Sequence, residues 1–374
     1  MNDFRRILVA CDKFKGSLSS LAACTAIARG LARRWPEAVI EACPIADGGE
    51  GFADALAGPL HGRWVEAPCH DALGRPIQAR YLVAESAGGT LAVMEMAAAS
   101  GLWRIAAHER DILRANTFGT GELMRHAVEH EQVQRIILGI GGSATNDGGA
   151  GMAAALGVRF LDAEGLSLDP SPGALAGRLT RIENSQRIPL PPVTVACDVN
   201  SPLLGPAGAT RVFGPQKGAD ESSIPILEVA LEAMVKASGG EAAAACPGSG
   251  AAGGLGFGLL YFAGATLVPG FDLFAGLTGL SDRAAAADLV VTGEGSVDAQ
   301  TLTGKGPVGV ARLARSHGKP VWAFCGQADP VVRGSGVFDR VVDLASTGLP
   351  IATLLTDAAR LLEEAAASEE ELSQ

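Results

Sequence analysis

Carboxylates recur in this chain where short apolar runs end. Ile7-Leu-Val-Ala-Cys11 is followed by Asp12, Pro44-Ile-Ala46 by Asp47, Val193-Thr-Val-Ala-Cys197 by Asp198, and Leu289-Val-Val-Thr-Gly293 by Glu294, with Asp298 just beyond. A single acid in such a place caps the next helix. Several of them, all in glycine-rich loops, point instead to a metal or general-base site, because open parallel sheets bind ligands beyond the carboxyl ends of their strands. Oxygen ligands of this kind suit magnesium, which is usually held by one or two carboxylates and the phosphates of a substrate. Cations stand nearby in the sequence: Lys13 and Lys15 follow Asp12, Arg211 and Lys217 lie between Thr210 and Gly218, and Lys305 lies between Thr301 and Gly306. Lysine acts on phosphate as a point charge, whereas arginine grips a carboxylate with two parallel hydrogen bonds.

A second kind of chemistry is written in Arg135-Ile-Ile-Leu-Gly-Ile-Gly-Gly-Ser-Ala-Thr-Asn-Asp-Gly-Gly-Ala-Gly151. A buried strand, Ile136 to Leu138, turns at once into glycine, and alanine-rich helical sequence follows from Met152. Glycine lets a backbone approach a ligand closely and adopt positive φ. A helix start offers N–H groups to an anion. Gly141, Gly142, Ser143, Thr145 and Asn146 therefore form a candidate cradle for phosphate or carboxylate; the competing reading is a tight turn with close helix–sheet packing. Thr117-Phe-Gly-Thr-Gly-Glu122 also opens a helix, and makes Thr117 and Gly119 further phosphate candidates.

Several alternatives lack their context. Gly248-Ser-Gly-Ala-Ala-Gly253 matches the dinucleotide fingerprint literally, but no strand precedes it. Gly139 to Ala144 does follow a strand, yet Thr145 to Gly149 intervene where that fingerprint begins its helix. No Gly-x-x-x-x-Gly-Lys-Ser/Thr and no Gly-x-Ser-x-Gly is present, protein-kinase loop signatures are missing, and the six histidines have no metal spacing.

The elements that must position these residues alternate at both ends of the chain. Strands are expected at Ile7–Cys11 and Val39–Ile45, with helices at Ser17–Trp35, capped by Ser17 or Ser19, and at Gly51–Leu60. Toward the other end, strands at Leu289–Val291, Pro320–Cys325 and Phe338–Leu344 alternate with helices at Gly306–Ser316 and Asp357–Glu364. The middle differs: Arg63–Ala67, Gln78–Glu85 and Thr90–Met96 read as antiparallel strands joined by tight turns, before a helix at Thr120–Glu131, a buried strand at Val193–Cys197 and a helix at Ile224–Ala237. The pattern predicts an α/β protein of two domains. Residues 1–65 and 285–374 would form a discontinuous flavodoxin- or Rossmann-like parallel-sheet domain. Residues 66–284 would form an inserted mixed α/β domain, with the active site in the cleft between the two.

Size and composition agree. At 374 residues the chain is too long for one ordinary core. Hydrophobic residues at 48% against 19% charged exclude a disordered chain, and aromatics at 5% leave the core to Ala, Val, Leu and Ile. With a net charge of −11 and no dense basic run, nucleic acid is not an expected partner. The seven cysteines are odd in number and contain no Cys-x-x-Cys, which argues for free thiols in a reducing cytoplasm rather than a disulfide framework or zinc site. No leader-like segment and no membrane-spanning apolar run is read.

Taken together the motifs resemble one family, the bacterial type I glycerate kinases. The matching stretches are Asp12-Lys-Phe-Lys-Gly-Ser17, Pro44 to Gly51, Asn116 to Glu122, Gly139 to Gly151, Ala196 to Leu203, Phe213-Gly-Pro-Gln-Lys-Gly218, Gly250 to Gly256, Thr292 to Asp298 and Thr303 to Gly306. Each is weak alone; the ordered set, spanning almost the whole chain, is specific. The resemblance implies ATP-dependent phosphorylation of D-glycerate with magnesium in the cytoplasm, favouring 2-phosphoglycerate over 3-phosphoglycerate. It also implies two α/β domains, one of them flavodoxin-like.

On that reading, Asp198 accepts the proton of the glycerate hydroxyl, with Asp47 and Asp12 as alternatives. The Gly139–Gly151 loop, with Ser143, Thr145 and Asn146, takes an anion, either nucleotide phosphate or glycerate carboxylate. Lys13, Lys15 and Lys217 offset charge developing on the transferred group, and Asp47, Glu294 or Asp298 hold magnesium. The expected protein is a monomer or homodimer whose partners are small molecules. The competing classes are an NAD-dependent oxidoreductase of a small hydroxy acid and a catalytically silent binding protein for small acids.

Overall fold

Three of the four apolar runs that end in acids fold as parallel strands, the arrangement expected of segments too uniformly hydrophobic to face water on either side; Pro44–Ala46 lies beyond its strand. The computed structural model describes residues 4–298, 301 and 306–368. The described strands, in chain order, are β1 (Arg6–Cys11), β2 (Val39–Ala42), β3 (Arg63–His70), β4 (Pro76–Ser86), β5 (Gly89–Glu95), β6 (Arg135–Gly139), β7 (Arg159–Leu161), β8 (Arg181–Glu183), β9 (Val193–Ala196), β10 (Thr266–Val268), β11 (Leu289–Val297), β12 (Val321–Ala328) and β13 (Arg340–Asp343). Contacts divide the chain into two compact units. One comprises Met1–Asp47, Asp54–Pro59 and Phe271–Gln374, the other Gly48–Ala53 and Leu60–Gly270.

The first unit carries a five-stranded sheet in the order β13-β12-β11-β1-β2, with every pairing parallel. Renumbered within the unit this is 2-1-3-4-5, the flavodoxin-like order, whose switch point falls between β1 and β11. In the register Cys11 pairs with Gly293, so the acids that follow each strand emerge at the same edge. The helix Ser20–Arg34 covers one face; its N-cap is Ser19, whose hydroxyl accepts from the Ala22 amide at 3.2 Å. The core is aliphatic: Ile7, Val9, Ile27, Leu31, Leu289, Val291 and Leu362 are all buried.

The second unit is built on a six-stranded sheet, β10-β9-β6-β5-β4-β3. The expected antiparallel strands are there, β3 against β4 and β4 against β5. β5, however, pairs with β6, β6 with β9 and β9 with β10, all in parallel. The sheet is mixed because β5 returns to β6 through the helix Phe118–Glu129, whereas β4 and β5 are joined by a tight turn at Ser86–Gly89. Its core holds Tyr81, Met94, Leu123, Met124, Ile136, Leu138, Val195, Leu255 and Leu259.

Some boundaries move. The strand expected to reach Ile45 stops at Ala42, and the helix expected from Ser17 starts at Ser20. The glycine-dense stretch Gly248–Gly258 mostly enters the helix Ala251–Ala263, but Ala252, Gly253 and Gly254 within it take left-handed angles, with φ of +54°, +67° and +86°. Among the described residues no helix is long and apolar enough to cross a membrane.

Candidate active site

In the first unit the switch point is acidic. The amide of Asp12 donates to the Gly293 carbonyl at 2.8 Å, which ties the loop after β1 to β11. Glu294 lies on β11, and Thr301 holds it by donating its hydroxyl to Oε1 at 2.7 Å. Asp298 accepts from the Thr301 amide at 3.2 Å, while its own amide donates to the Thr301 hydroxyl at 3.1 Å. Burial pushes the Glu294 carboxyl up to about 7; the Thr301 hydroxyl opposes that, and the charges of Asp12, Asp298 and Asp47 add to it. The structure thus brings Asp12, Asp298 and Asp47 within electrostatic reach of Glu294. Lys13 is half-buried and Lys15 exposed on the loop after β1. That loop packs closely on β11: a Cβ on Gly295 would approach the Lys15 amide nitrogen at 3.1 Å. Of the lysine-bearing segment 301–306, residues 302–305, including Lys305, lie outside the described residues.

Among the described residues no three His, Cys, Asp or Glu side chains converge as a closed metal cage. The carboxylate oxygens of Asp47, Glu294 and Asp298 are hard donors of the kind that fit magnesium, which keeps waters and shares phosphate oxygens.

In the second unit the chemistry gathers at the ends of β6 and β9. The expected offer of free helix-start amides is not what the fold does. The helix Ala150–Ala155 is already capped from within: buried Asp147 accepts from the amides of Gly149 at 3.2 Å and Gly151 at 2.9 Å. The same carboxylate accepts from the amide and hydroxyl of Thr117, at 2.8 and 2.7 Å. Burial raises the Asp147 pKa and these four donors work against the rise. Thr117 thus belongs to a clamp between two helix starts, and its hydroxyl also accepts from the Met152 amide at 2.8 Å. Gly119 serves packing as well: a Cβ there would lie 1.8 Å from the His70 carbonyl oxygen.

What the loop presents is a buried hydroxyl, able to donate or accept, and a buried amide oxygen, able only to accept. Among the described residues the Thr145 hydroxyl and Asn146 Oδ1 have no hydrogen-bond partner, although both residues are fully buried. Asn146 is aimed by its amide nitrogen, which donates to the Thr210 hydroxyl at 3.0 Å. Buried polar atoms are nearly always bonded, so these two mark a place for a ligand group or ordered water. Lys217 stands beside them. It is 2% exposed and donates Nζ to the Thr145 carbonyl at 2.8 Å. Burial lowers its pKa to about 7, and the Asp147 charge partly counters that.

The left-handed turn Ala252–Gly254 packs directly on this loop. Gly148 donates its amide to the Gly253 carbonyl at 3.0 Å, and a Cβ on Gly253 would fall 1.9 Å from the Thr145 carbonyl oxygen. Gly141 donates to the Gly48 carbonyl at 3.1 Å, while Gly142 takes φ +76° and accepts from Leu102 at 2.9 Å. Ser143 is buried and bridged to Gly101. Asp198, two residues past β9, is half-buried, and its Oδ1 accepts from the Gly270 amide at 2.9 Å. Thr210 and Ala252 carried no sequence signal; Gly253-Gly254 did, as a doublet that only a special backbone needs.

A flavodoxin-like sheet with acids at its switch point, together with a glycine loop over a buried lysine, is an arrangement suited to α/β phosphotransferases. The chain superposes on a crystal structure provisionally described as glycerate kinase 2 from Salmonella typhimurium LT2, with a TM-score of 0.82 and 38% identity over 97% of this chain and 96% of that one. The sequence profile of the glycerate kinase family matches residues 7–372, and the chain belongs to that family. Its relatives include glycerate kinases of Halalkalibacterium halodurans (42% identical over 96% of both chains) and Bacillus subtilis (42%, over 94% of this chain and 92% of that one). The glycerate 2-kinase of Escherichia coli is 40% identical over 86% of this chain and 85% of its own length.

Proposed function

We propose that this enzyme transfers the γ-phosphoryl group of ATP to a hydroxyl of D-glycerate, forming 2-phosphoglycerate and ADP. The observation that carries the reading is the unpartnered Thr145 hydroxyl, which can donate to an anion, beside Lys217 and beside Asn146 Oδ1, which can accept from a substrate hydroxyl, on a glycine loop at the end of a parallel strand. An enclosed cation with polar atoms awaiting partners is what a phosphoryl or carboxylate group needs when it leaves water. The Escherichia coli relative, named for the 2-position, supports that regiochemistry.

In this proposal both sets of side chains serve one reaction. Asp198 lies at the end of β9 with one oxygen fixed by the Gly270 amide, and it takes the hydroxyl proton as the new P–O bond forms. Ser143, Thr145 and Asn146 orient the bound substrate, with Asn146 Oδ1 accepting from its hydroxyl, and Gly141 and Gly142 let the backbone pass close to it. Thr117 and Gly119 keep the loop in place through the Asp147 clamp. Lys217 neutralises charge from within, while Lys13 and Lys15 do so from the loop after β1. Asp47, Glu294 and Asp298 would hold magnesium, directly or through water; when bound, the ion neutralises phosphate charge and orients the transferred group. Asp47 and Asp12 are the alternative bases. We further propose a cytoplasmic monomer or homodimer, since its seven cysteines, five of them buried, are held as free thiols that a reducing compartment preserves.

Phosphorus NMR of a reaction with ATP, magnesium and D-glycerate tests the proposal. It predicts a phosphomonoester resonance split by one neighbouring proton, as on the secondary 2-hydroxyl. A resonance split by two protons would move the site to the 3-hydroxyl, and the absence of any ester would refute kinase action on glycerate.

A further inference from the structure

The chain has four tryptophans and two tyrosines, so an aromatic ring left at the surface stands out. Trp35 and Trp322 pack with Phe4 in an aromatic cluster, and Trp64 is half-buried under the Arg80 guanidinium. Trp103 is different: it is 59% exposed. Yet its ring is held in place. Its indole nitrogen donates to the Ala97 carbonyl at 3.0 Å, and the Arg104 guanidinium lies 4.4 Å from the ring centroid, itself anchored by donating to the Ala98 carbonyl at 2.7 Å. Gly101 admits this turn, since a Cβ there would lie 2.9 Å from the Trp103 ring. An exposed aromatic fixed by hydrogen bonds rather than by a core is pre-organised to receive a flat partner.

Its place in the second unit says which partner. The segment carrying Trp103 runs alongside the glycine loop: Leu102 donates to the Gly142 carbonyl at 2.9 Å, Ala144 donates to the Ser100 carbonyl at 3.0 Å, and Gly101 bridges Ser143. Trp103 follows β5, the glycine loop follows β6, and Asp198 follows β9, and these three strands are parallel neighbours in that order. Successive strands lie about 4.8 Å apart. Trp103 and Asp198 therefore follow the two strands on either side of the one that leads into the anion loop.

We propose that Trp103 is the stacking platform for the adenine of ATP, so that the nucleotide lies across the strand ends from β5 toward β9, with its phosphates on the glycine loop and its terminal phosphate nearest Asp198. The inference rests on the kinase reading given above and adds the direction in which the nucleotide lies. Base–aromatic stacking tolerates any ring with a π-face, so phenylalanine should replace tryptophan where alanine cannot.

The test is isothermal titration calorimetry on the full-length enzyme, with tryptophan fluorescence as a second readout and with ADP and inorganic tripolyphosphate as separate probes. ADP should quench emission in the natural protein. Trp103→Ala should abolish most of that quench and weaken ADP binding about 10-fold, with a matching rise in the KM for ATP. Trp103→Phe should keep near-natural affinity, and tripolyphosphate, which has no base, should bind all three proteins alike. Unchanged ADP affinity in Trp103→Ala would overturn the platform. So would an equal loss for tripolyphosphate, which would mean that Trp103 only shapes the loop. Should ADP bind and quench as expected while no ADP forms from ATP and D-glycerate, the kinase reading fails and the platform stands.

Discussion

The ammonium of Lys217 donates to the carbonyl oxygen of Thr145 at 2.8 Å, and both residues are buried. The bond joins the turn Pro215–Lys217 to the glycine loop, so one cation both closes the loop and charges its interior. Desolvation holds the Lys217 pKa down at about 7, against 10.5 for a free lysine.

A pH signature follows. Below about pH 7 the folded and unfolded chains both carry the proton, and the full penalty of burying the charge is present. Between 7 and 10.5 the unfolded chain binds a proton that the folded chain does not, so this group makes stability rise with pH over that window. Replacing it with methionine removes the contribution. Melting temperatures of the natural protein, relative to Lys217→Met, should climb from pH 7 toward pH 10, and a constant difference would contradict the burial of the charge. The same replacement should weaken anion binding by about 10-fold, or ~1.4 kcal/mol, at pH 6.5.

The left-handed turn beside the loop gives a pair of opposite effects. Gly253→Ala places a methyl group 1.9 Å from the Thr145 carbonyl oxygen on a backbone at φ +67°, and should cost about 2–4 kcal/mol while lowering turnover. Ala252→Gly relieves an alanine held at φ +54° and should add about 0.5–1 kcal/mol. Thermal unfolding of the two variants decides this; destabilisation by both would show that Ala252 is not strained.

The acids at the first unit's switch point should behave as a cation site. Glu294 is raised by burial and then by Asp12, Asp298 and Asp47. Glu294→Gln removes one of these charges. It should raise the melting temperature in metal-free buffer and shrink the further rise that magnesium produces in the natural protein. An identical magnesium response in both proteins would remove Glu294 from the metal site.

Much of this was legible from residue types alone. Uniformly apolar runs such as Ile7–Cys11 and Leu289–Val291 announce strands buried on both faces, and acids after them announce the ligand edge. The parallel joining of β5 to β6 was not legible, because the alternation in Thr90–Met96 does not reveal which neighbour a strand will choose. Nor was the division of labour inside the glycine loop. Asp147 stands in the sequence as one more small polar residue of the loop, yet four local donors turn it inward as a clamp. Lys217 reads as a cation for a transferred phosphoryl group, but its burial was not legible, because that burial depends on a loop 72 residues away. Trp103 passed unremarked, since a single aromatic in a short turn carries no periodicity.

Asp198 carries the central claim that a carboxylate at the end of β9 takes the proton while the glycine loop beside it handles the anion. The direct measurement is turnover and ADP affinity in Asp198→Asn, with magnesium and D-glycerate present. Turnover should fall by about 100-fold or more, while the dissociation constant for ADP stays within about twofold of the natural value. Near-natural turnover would contradict the claim, and an equal loss of ADP binding would place Asp198 in the nucleotide site instead.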